Sequence, residues 1–479
     1  MWRVRLKIHS SWLIALFSAC FVGGVALALA VRVPWFVGIV ACIGIAVSFI
    51  VRTVYMLPIL IISSLSLGLG YGSTHLGSRE IYAGRIGEVI QLQGRIKEDP
   101  SKISSGATSL QLENVRVNSK ETPGFVYVSI RGSPEAKRGD IITVTGQAKP
   151  GFGNFPISIS ATKLDSVVRP IPGDVGRVVR DWFADKVRLL IDEPQASLGI
   201  GFLTGQKSAL PEDLSEALKI AGLTHIVVAS GYNLTILVRL ARRLFLKVSK
   251  FLSAVSSGVM ITIFMAITGL SPSMTRAGLV SGISLMAWYY GHRLHPFILL
   301  PFAAAVTIAI NPSYAWGDLG WQLSFAAFAG VMVVGPLLQR YFFGTKEPGV
   351  LRQILGETIA AHLVTIPIIA ISFGTISHVA IIANVLVVPL VPLAMLLTFI
   401  CGIWSIAGLA LASLIALPAN WLLSYMVQVA TFVSELDWAQ SELTLSGWVW
   451  AGYVAALVGI CFWMWRATKF DFSGVNPIL

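Results

Sequence analysis

Four short polar clusters interrupt an otherwise apolar chain, and any chemistry would have to come from them. The first is Thr224-His225-Ile226-Val227-Val228-Ala229-Ser230-Gly231-Tyr232-Asn233-Leu234-Thr235. Ser230 and Asn233 are three apart, so a continuous helix puts hydroxyl and amide on one face. His225 lies five residues before Ser230, well around a helix, which makes a local Ser–His nucleophile geometrically poor. Gly231 permits a break or close backbone approach, the means by which conduits expose carbonyl and amide groups in a membrane. Hydrogen bonding between packed helices uses the same residue types, and spacing alone does not decide between the two.

The second cluster, Gly269-Leu270-Ser271-Pro272-Ser273-Met274-Thr275-Arg276-Ala277, carries a cation just inside an apolar run. A charge at mid-membrane costs at least about 2.5–3.5 kcal/mol, so such groups face a cavity or a partner. Arg276 could meet an incoming phosphate, or reach back to the lipid headgroups. The third cluster, Trp316-Gly317-Asp318-Leu319-Gly320-Trp321-Gln322-Leu323-Ser324-Phe325, offers Asp318 as a helix cap and Gln322 as a deeper, cavity-lining group. The fourth runs from Glu357 through His362, Thr365 and Pro367 to Asn384 and Pro389. Polar groups between proline-broken helices suit a conduit, with structural hydrogen bonding as the competing use.

Enzyme signatures are weak. There is no HExxH and no Walker A lysine motif, and Val228-Ala229-Ser230-Gly231 lacks the first glycine of a GxSG nucleophile turn. His292 and His295 share a turn without a third ligand, and Cys20, Cys42, Cys401 and Cys461 all sit in apolar runs without zinc spacing. No metal, no cofactor and no catalytic residue is expected.

The elements that must hold these clusters are membrane helices. The chain has 479 residues, 55% of them hydrophobic and 13% charged, about half the charge usual in soluble domains. Ordinary cores of about 100–200 residues could not hide so much apolar surface. Apolar runs near 12–31, 34–51 and 54–72 are each long enough to span, and further spans are expected near 223–240, 251–270, 275–291, 296–311, 319–338, 353–373 and 447–465, with two or three more inside 377–434. The fold class is a polytopic α-helical membrane protein of about 11–13 spans. Arg3, Arg5 and Lys7 before the first run resemble a signal peptide. That run has the length of a span, and an uncleaved anchor is expected.

One soluble domain interrupts the spans. Segments 88–97, 108–117, 124–130, 141–148 and 157–168 are short, rich in β-branched residues and separated by Gly/Pro/Asn/Ser clusters. Five such strands suit a small OB-like barrel; a small sandwich would read the same way. Residues 174–192 then read as an amphipathic helix, lying in the interface or packed on the β domain. Leu210-Pro211-Glu212-Asp213 reads as a helix start and Gly222 as its end. The expected division is 1–78 as a three-span segment, 79–170 as the β domain, 171–210 as interfacial helices and 211–479 as the main membrane domain.

The formal net charge of +12 could serve phosphate binding, although membrane proteins collect Lys/Arg in cytoplasmic loops for topological reasons. Basic loops hold Arg239, Arg242, Arg243, Lys247, Lys250, then Arg293, then Arg340, Lys346 and Arg352, and the tail carries Arg466 and Lys469. With the N-terminus inside, three spans put the β domain outside and every basic loop inside. An inside tail then requires an even number of crossings between 375 and 434. Two full crossings are expected, with Val388-Pro389-Leu390-Val391-Pro392 broken or re-entrant.

Taken in order, the clusters resemble the ComEC family of competence proteins. The carriers are Leu203-Thr204-Gly205-Gln206-Lys207-Ser208-Ala209-Leu210, Ala221-Gly222-Leu223-Thr224-His225 leading into Ser230-Gly231, Pro272-Ser273-Met274-Thr275-Arg276-Ala277, Trp321-Gln322-Leu323-Ser324-Phe325 and Asn384 through Pro389. The resemblance implies a bacterial cell-membrane channel that passes one DNA strand inward, non-specifically, with an OB-like domain outside near the mouth. It implies Ser230, Gly231, Asn233, Arg276, Gln322 and Asn384 as the path or gate, and a separate DNA receptor, translocase ATPase and nuclease as partners beside membrane lipid. Self-association into a homo-oligomer stays open.

OB-folds bind single strands with basic grooves and aromatic platforms. Between Arg79 and Arg169 there are thirteen Lys/Arg against nine Asp/Glu. Arg95, Lys97, Phe125 and Tyr127 are the candidate DNA contacts, with Phe152 and Phe155 also available. Two departures stand out. Family members commonly read Ser-Gly-Leu-His where this chain has Ser230-Gly231-Tyr232-Asn233, and many carry a C-terminal metallo-β-lactamase-like domain. This sequence stops about 14 residues after its last predicted span, so a nuclease is expected on another protein. The rival readings are a secondary transporter or exporter of a smaller solute and, behind it, an intramembrane hydrolase using Ser230.

Overall fold

A computed structural model of the chain describes residues 7–103, 106–117, 120–132, 134–206, 210–227, 230–292, 294–345, 348–408, 412–443 and 446–472. Arg3, Arg5, Lys207, Ser208, Ala209, Val228, Ala229, Arg293 and Lys346, all used above, lie outside these residues. The chain divides into two compact units, Met1–Asp174 with His295–Gln322, and Val175–Leu294 with Leu323–Leu479.

In the first unit, helices Ser10–Leu27, Phe36–Val51 and Leu57–Arg79 pack through small residues, as membrane helices do where backbones must approach. A Cβ built at Gly24 would lie 2.2 Å from the Leu65 carbonyl oxygen, and one at Gly68 2.2 Å from that of Phe21. The Pro296–Ile310 helix completes this bundle against Ser10–Leu27.

The same unit carries a five-stranded barrel: β1 Val89–Ile96, β2 Ala107–Val117, β3 Val126–Arg131, β4 Ile141–Pro150 and β5 Ile157–Val168. Side chains alternate out and in along β1, as a half-buried strand requires. Leu92, Leu110, Leu112, Val126, Val128, Ile142, Val144, Ile157 and Ile159 fill the interior. Strand order is β1-β2-β3-β5-β4 and back to β1, closed by one parallel pairing that sets Tyr127 beside Ser158 and Ile130 beside Ala161. This is the Greek-key barrel topology of an OB-fold, so the sandwich alternative is discarded.

The second unit is almost entirely helical and is built around Gln195–Thr204, a helix the sequence pattern missed. Eight of its ten residues are buried, and it is apolar all round, so it shows no amphipathic period. Its glycines admit the neighbours: a Cβ at Gly199 would lie 2.6 Å from Thr398 Oγ1, and one at Gly201 2.6 Å from Val227 Cγ1. Ile226, Val227, Val387, Val391, Leu423 and Met426 surround it.

The Val175–Arg188 helix packs among the membrane helices of this unit. Gly176 lies against the Ala266 carbonyl and Gly402 admits the Phe183 ring. Val175, Val178, Val179 and Trp182 face outward while Arg177 and Arg180 are buried.

Among the described residues, eight helical runs are long and apolar enough to cross a bilayer: Ser10–Leu27, Val54–Tyr82, Lys250–Thr268, Leu319–Phe343, Leu351–Phe373, Ala380–Ala407, Ala412–Ser434 and Gly447–Thr468. Phe36–Val51 and Pro296–Ile310 are shorter apolar helices. Two long runs therefore occupy 377–434, the first carrying a 3-10 turn at Val388–Leu390 where the prolines fall. The expected spans at 275–291 and 223–240 differ from these. The first falls on Pro272–Tyr290, which is more polar. The second is divided into Thr224–Val227 and Gly231–Leu246, because Ser230 is extended and begins a new helix. The protein is a polytopic α-helical membrane protein with one OB-like barrel.

Candidate functional site

On the barrel, three rings form a cluster at the junction of β3 with the β4–β5 loop. Tyr127 lies 4.9 Å from Phe152 and 5.6 Å from Phe155, and the two phenylalanines are 5.5 Å apart. Phe152 is 53% exposed, so this cluster keeps an open aromatic surface. It sits where OB-folds bind oligonucleotides, at the β2–β3 face and the 4–5 loop. Arg95 is exposed on β1.

Lys97 and Phe125 are employed differently. The Lys97 ammonium sits 3.7 Å above the Phe125 ring and 5.6 Å from that of Tyr314, a cation–π arrangement. Burial pushes this lysine below its usual range, against the upward pull of Glu98, Asp318 and Glu113. Burial likewise raises the Tyr314 phenol to about 12.

The pair belongs to a seam between the barrel and the 311–318 turn. Asn154 Nδ2 donates to Asp318 Oδ2 at 2.6 Å, and Arg79 Nη2 donates to the Asn154 carbonyl at 2.6 Å. Asp318 Oδ1 accepts from the Trp321 amide at 2.8 Å, the helix cap expected from sequence. Burial lifts the Asp318 carboxyl above the usual carboxylate range, outweighing the downward effects of its amide bonds and Lys97. Gln322 follows, part-buried and without a side-chain hydrogen bond to any described residue.

In the second unit, Ser230 caps the Gly231–Leu246 helix: its Oγ accepts from the Asn233 amide at 3.4 Å. Asn233 is fully buried, and its Nδ2 donates to the carbonyls of Phe202 and Ile226, both at 3.0 Å. It therefore ties the central Gln195–Thr204 helix to the chain that precedes the helix break. His225 Nδ1 bonds the Gly222 carbonyl at 2.9 Å. Asn384 is also buried, and its Oδ1 has no described partner.

Arg276 is brought against Gly231. A Cβ built on Gly231 would lie 3.2 Å from Arg276 Nη2. Arg276 as a whole is 8% exposed. Its Nε donates to Ser324 Oγ at 2.6 Å, and Ser324 Oγ donates on to Ser273 Oγ at 3.2 Å. The ring of Phe328 lies 4.9 Å from the guanidinium carbon and that of Phe325 5.9 Å. No carboxylate pairs with it among the described residues. Ser324 and Phe328 are parts of this site that spacing did not single out, because they reach Arg276 from another helix through tertiary packing; Ser273, one turn before Arg276 on the same helix, joins them through its bond to Ser324.

A family model described as Competence protein matches residues 202–468. The chain is 24% identical over 257 residues to ComE operon protein 3 of Bacillus subtilis (strain 168). That match covers 51% of this chain and 31% of the relative, so the chain spans about a third of the length of the curated relative it matches. No solved structure matches.

Proposed function

The chain belongs to the competence protein family, and we propose that it is the cell-membrane conduit through which one DNA strand reaches the cytoplasm during competence-type uptake. The observation that carries this reading is the open Tyr127–Phe152–Phe155 cluster on an OB-topology barrel, borne by a polytopic membrane chain. Every base has a π-face, so aromatic platforms beside basic groups hold single strands without reading sequence. Arg95, exposed on β1 with its guanidinium near Gly139, is the proposed source of such charge. Lys97 and Phe125 face the 311–318 turn and support the barrel rather than offer it to a strand.

The proposed working parts are the three N-terminal spans at 1–78, an extracytoplasmic barrel at 79–170, interfacial helices at 171–210 and the conduit at 211–479. Ser230, Gly231, Arg276, Gln322 and Asn384 are its proposed path or gate, with Asn233 holding that region in shape. Passage of a strand breaks no covalent bond, so the chain acts without catalysis of its own. A DNA receptor, a translocase ATPase and a nuclease would be separate proteins.

In a deletion strain of the host carrying Arg276→Ala or Gln322→Leu, uptake of radiolabelled DNA should fall by about tenfold, equivalent to about 1.4 kcal/mol. The variants should remain in the membrane fraction at wild-type abundance. DNA uptake that is indifferent to the deletion, with flux of a small solute that follows the wild-type gene, would transfer the protein to the secondary transporters.

A further inference from the structure

We infer that Arg276 and the first turn of the Gly231–Leu246 helix form a binding site for a single phosphodiester anion. The inference deepens the proposed function and rests on it for the identity of the usual occupant.

A buried guanidinium normally carries its own counter-ion, because a lone charge away from water is costly. Arg276 does not: Nε is engaged by a serine, and the terminal nitrogens donate to no described residue. Its surroundings add positive charge. Gly231–Leu246 is 16 residues long, and the amide end of a helix carries about half a positive charge. The guanidinium lies against that end, with no Cβ between them at Gly231. Arg276 is also in the second turn of its own helix, Pro272–Tyr290, whose amide end is capped by Ser271. The Phe325 and Phe328 faces offset part of this positive charge, and an anion on the terminal nitrogens completes the group, as broken membrane helices bind anionic ligands.

The geometry favours a phosphodiester. The Ser324–Ser273 pair and the Phe328 ring fix the guanidinium plane, and a fixed fork matches two oxygens of one phosphate. A diester bears a single negative charge, which one arginine balances. The uncharged serines leave nothing to repel it.

The test uses the full chain in dodecyl maltoside, which contains no phosphate, and a fluorescent single-stranded oligothymidylate titrated across a salt series. In Arg276→Gln the slope of log K against log salt should flatten by about 0.7, the contribution of one single-strand phosphate. In Arg276→Lys the slope should persist while affinity falls several-fold at every salt. A methylphosphonate oligomer, which has no backbone charge, should bind wild type and Arg276→Gln alike. A wild-type slope in Arg276→Gln overturns the site and leaves the DNA conduit standing. Should wild type bind no strand, the conduit reading falls, and phosphatidylglycerol added to the same micelles decides the site. A thermal shift in wild type that Arg276→Gln abolishes identifies a lipid phosphodiester as the occupant. The absence of any shift overturns the site.

Discussion

At the scale of single residues, Ser230 and Asn233 show what a spacing of three can mean. In a continuous helix it is a shared face; at a helix start it is the distance from a capping hydroxyl to the amide it accepts from. The sequence was legible as far as the spacing and the permissive Gly231. The choice depended on whether the chain breaks at 230, which is set by Phe202 and Ile226 offering carbonyls to Asn233. Asn233 is thus a clamp. Asn233→Leu leaves two buried acceptors unsatisfied and should cost about 2–4 kcal/mol in detergent unfolding. Asn233→His keeps a donor and should cost less. Equal losses from both would show that the carbonyl bonds contribute little.

At the scale of elements, strands were far more legible than buried helices. Each predicted strand overlaps an observed one within two residues, because alternation and turn residues are local signals. Gln195–Thr204 was invisible, since an apolar helix buried on all sides has no period to read. The 174–192 helix was legible, but its neighbours were not: Gly176 says nothing until Ala266 is seen behind it. Gly176→Ala would place a methyl 2.1 Å from the Ala266 oxygen and should destabilise by about 1–3 kcal/mol. Gly258→Ala, on the facing Lys250–Thr268 helix with nothing within 4 Å, should instead be neutral or stabilise by up to about 1 kcal/mol. A thermal unfolding series of the two variants checks both signs, and a Gly176→Ala protein as stable as wild type would deny the close approach.

For the whole molecule, the charge pattern gives a topology that can be tested directly. With the N-terminus inside, a cysteine introduced at exposed Glu121 on the barrel should react with an impermeant maleimide on intact cells, whereas one at Lys469 should react only after permeabilisation. Labelling of Lys469→Cys on intact cells would put the tail outside and require an odd number of crossings in 375–434. The sequence hinted at Asp318 as a cap but not at its second bond to Asn154, 164 residues away. Nor did it reveal that a Cβ on Gly153 would lie 3.0 Å from the Gly317 carbonyl oxygen and one on Gly317 3.1 Å from Gly153 Cα. Those contacts bear on inheritance. A barrel borrowed from a relative brings its own 4–5 loop, and unless the matching 311–318 turn travels with it, two side chains compete for the space of none. The barrel and that turn, far apart in the gene, should therefore be exchanged together or not at all.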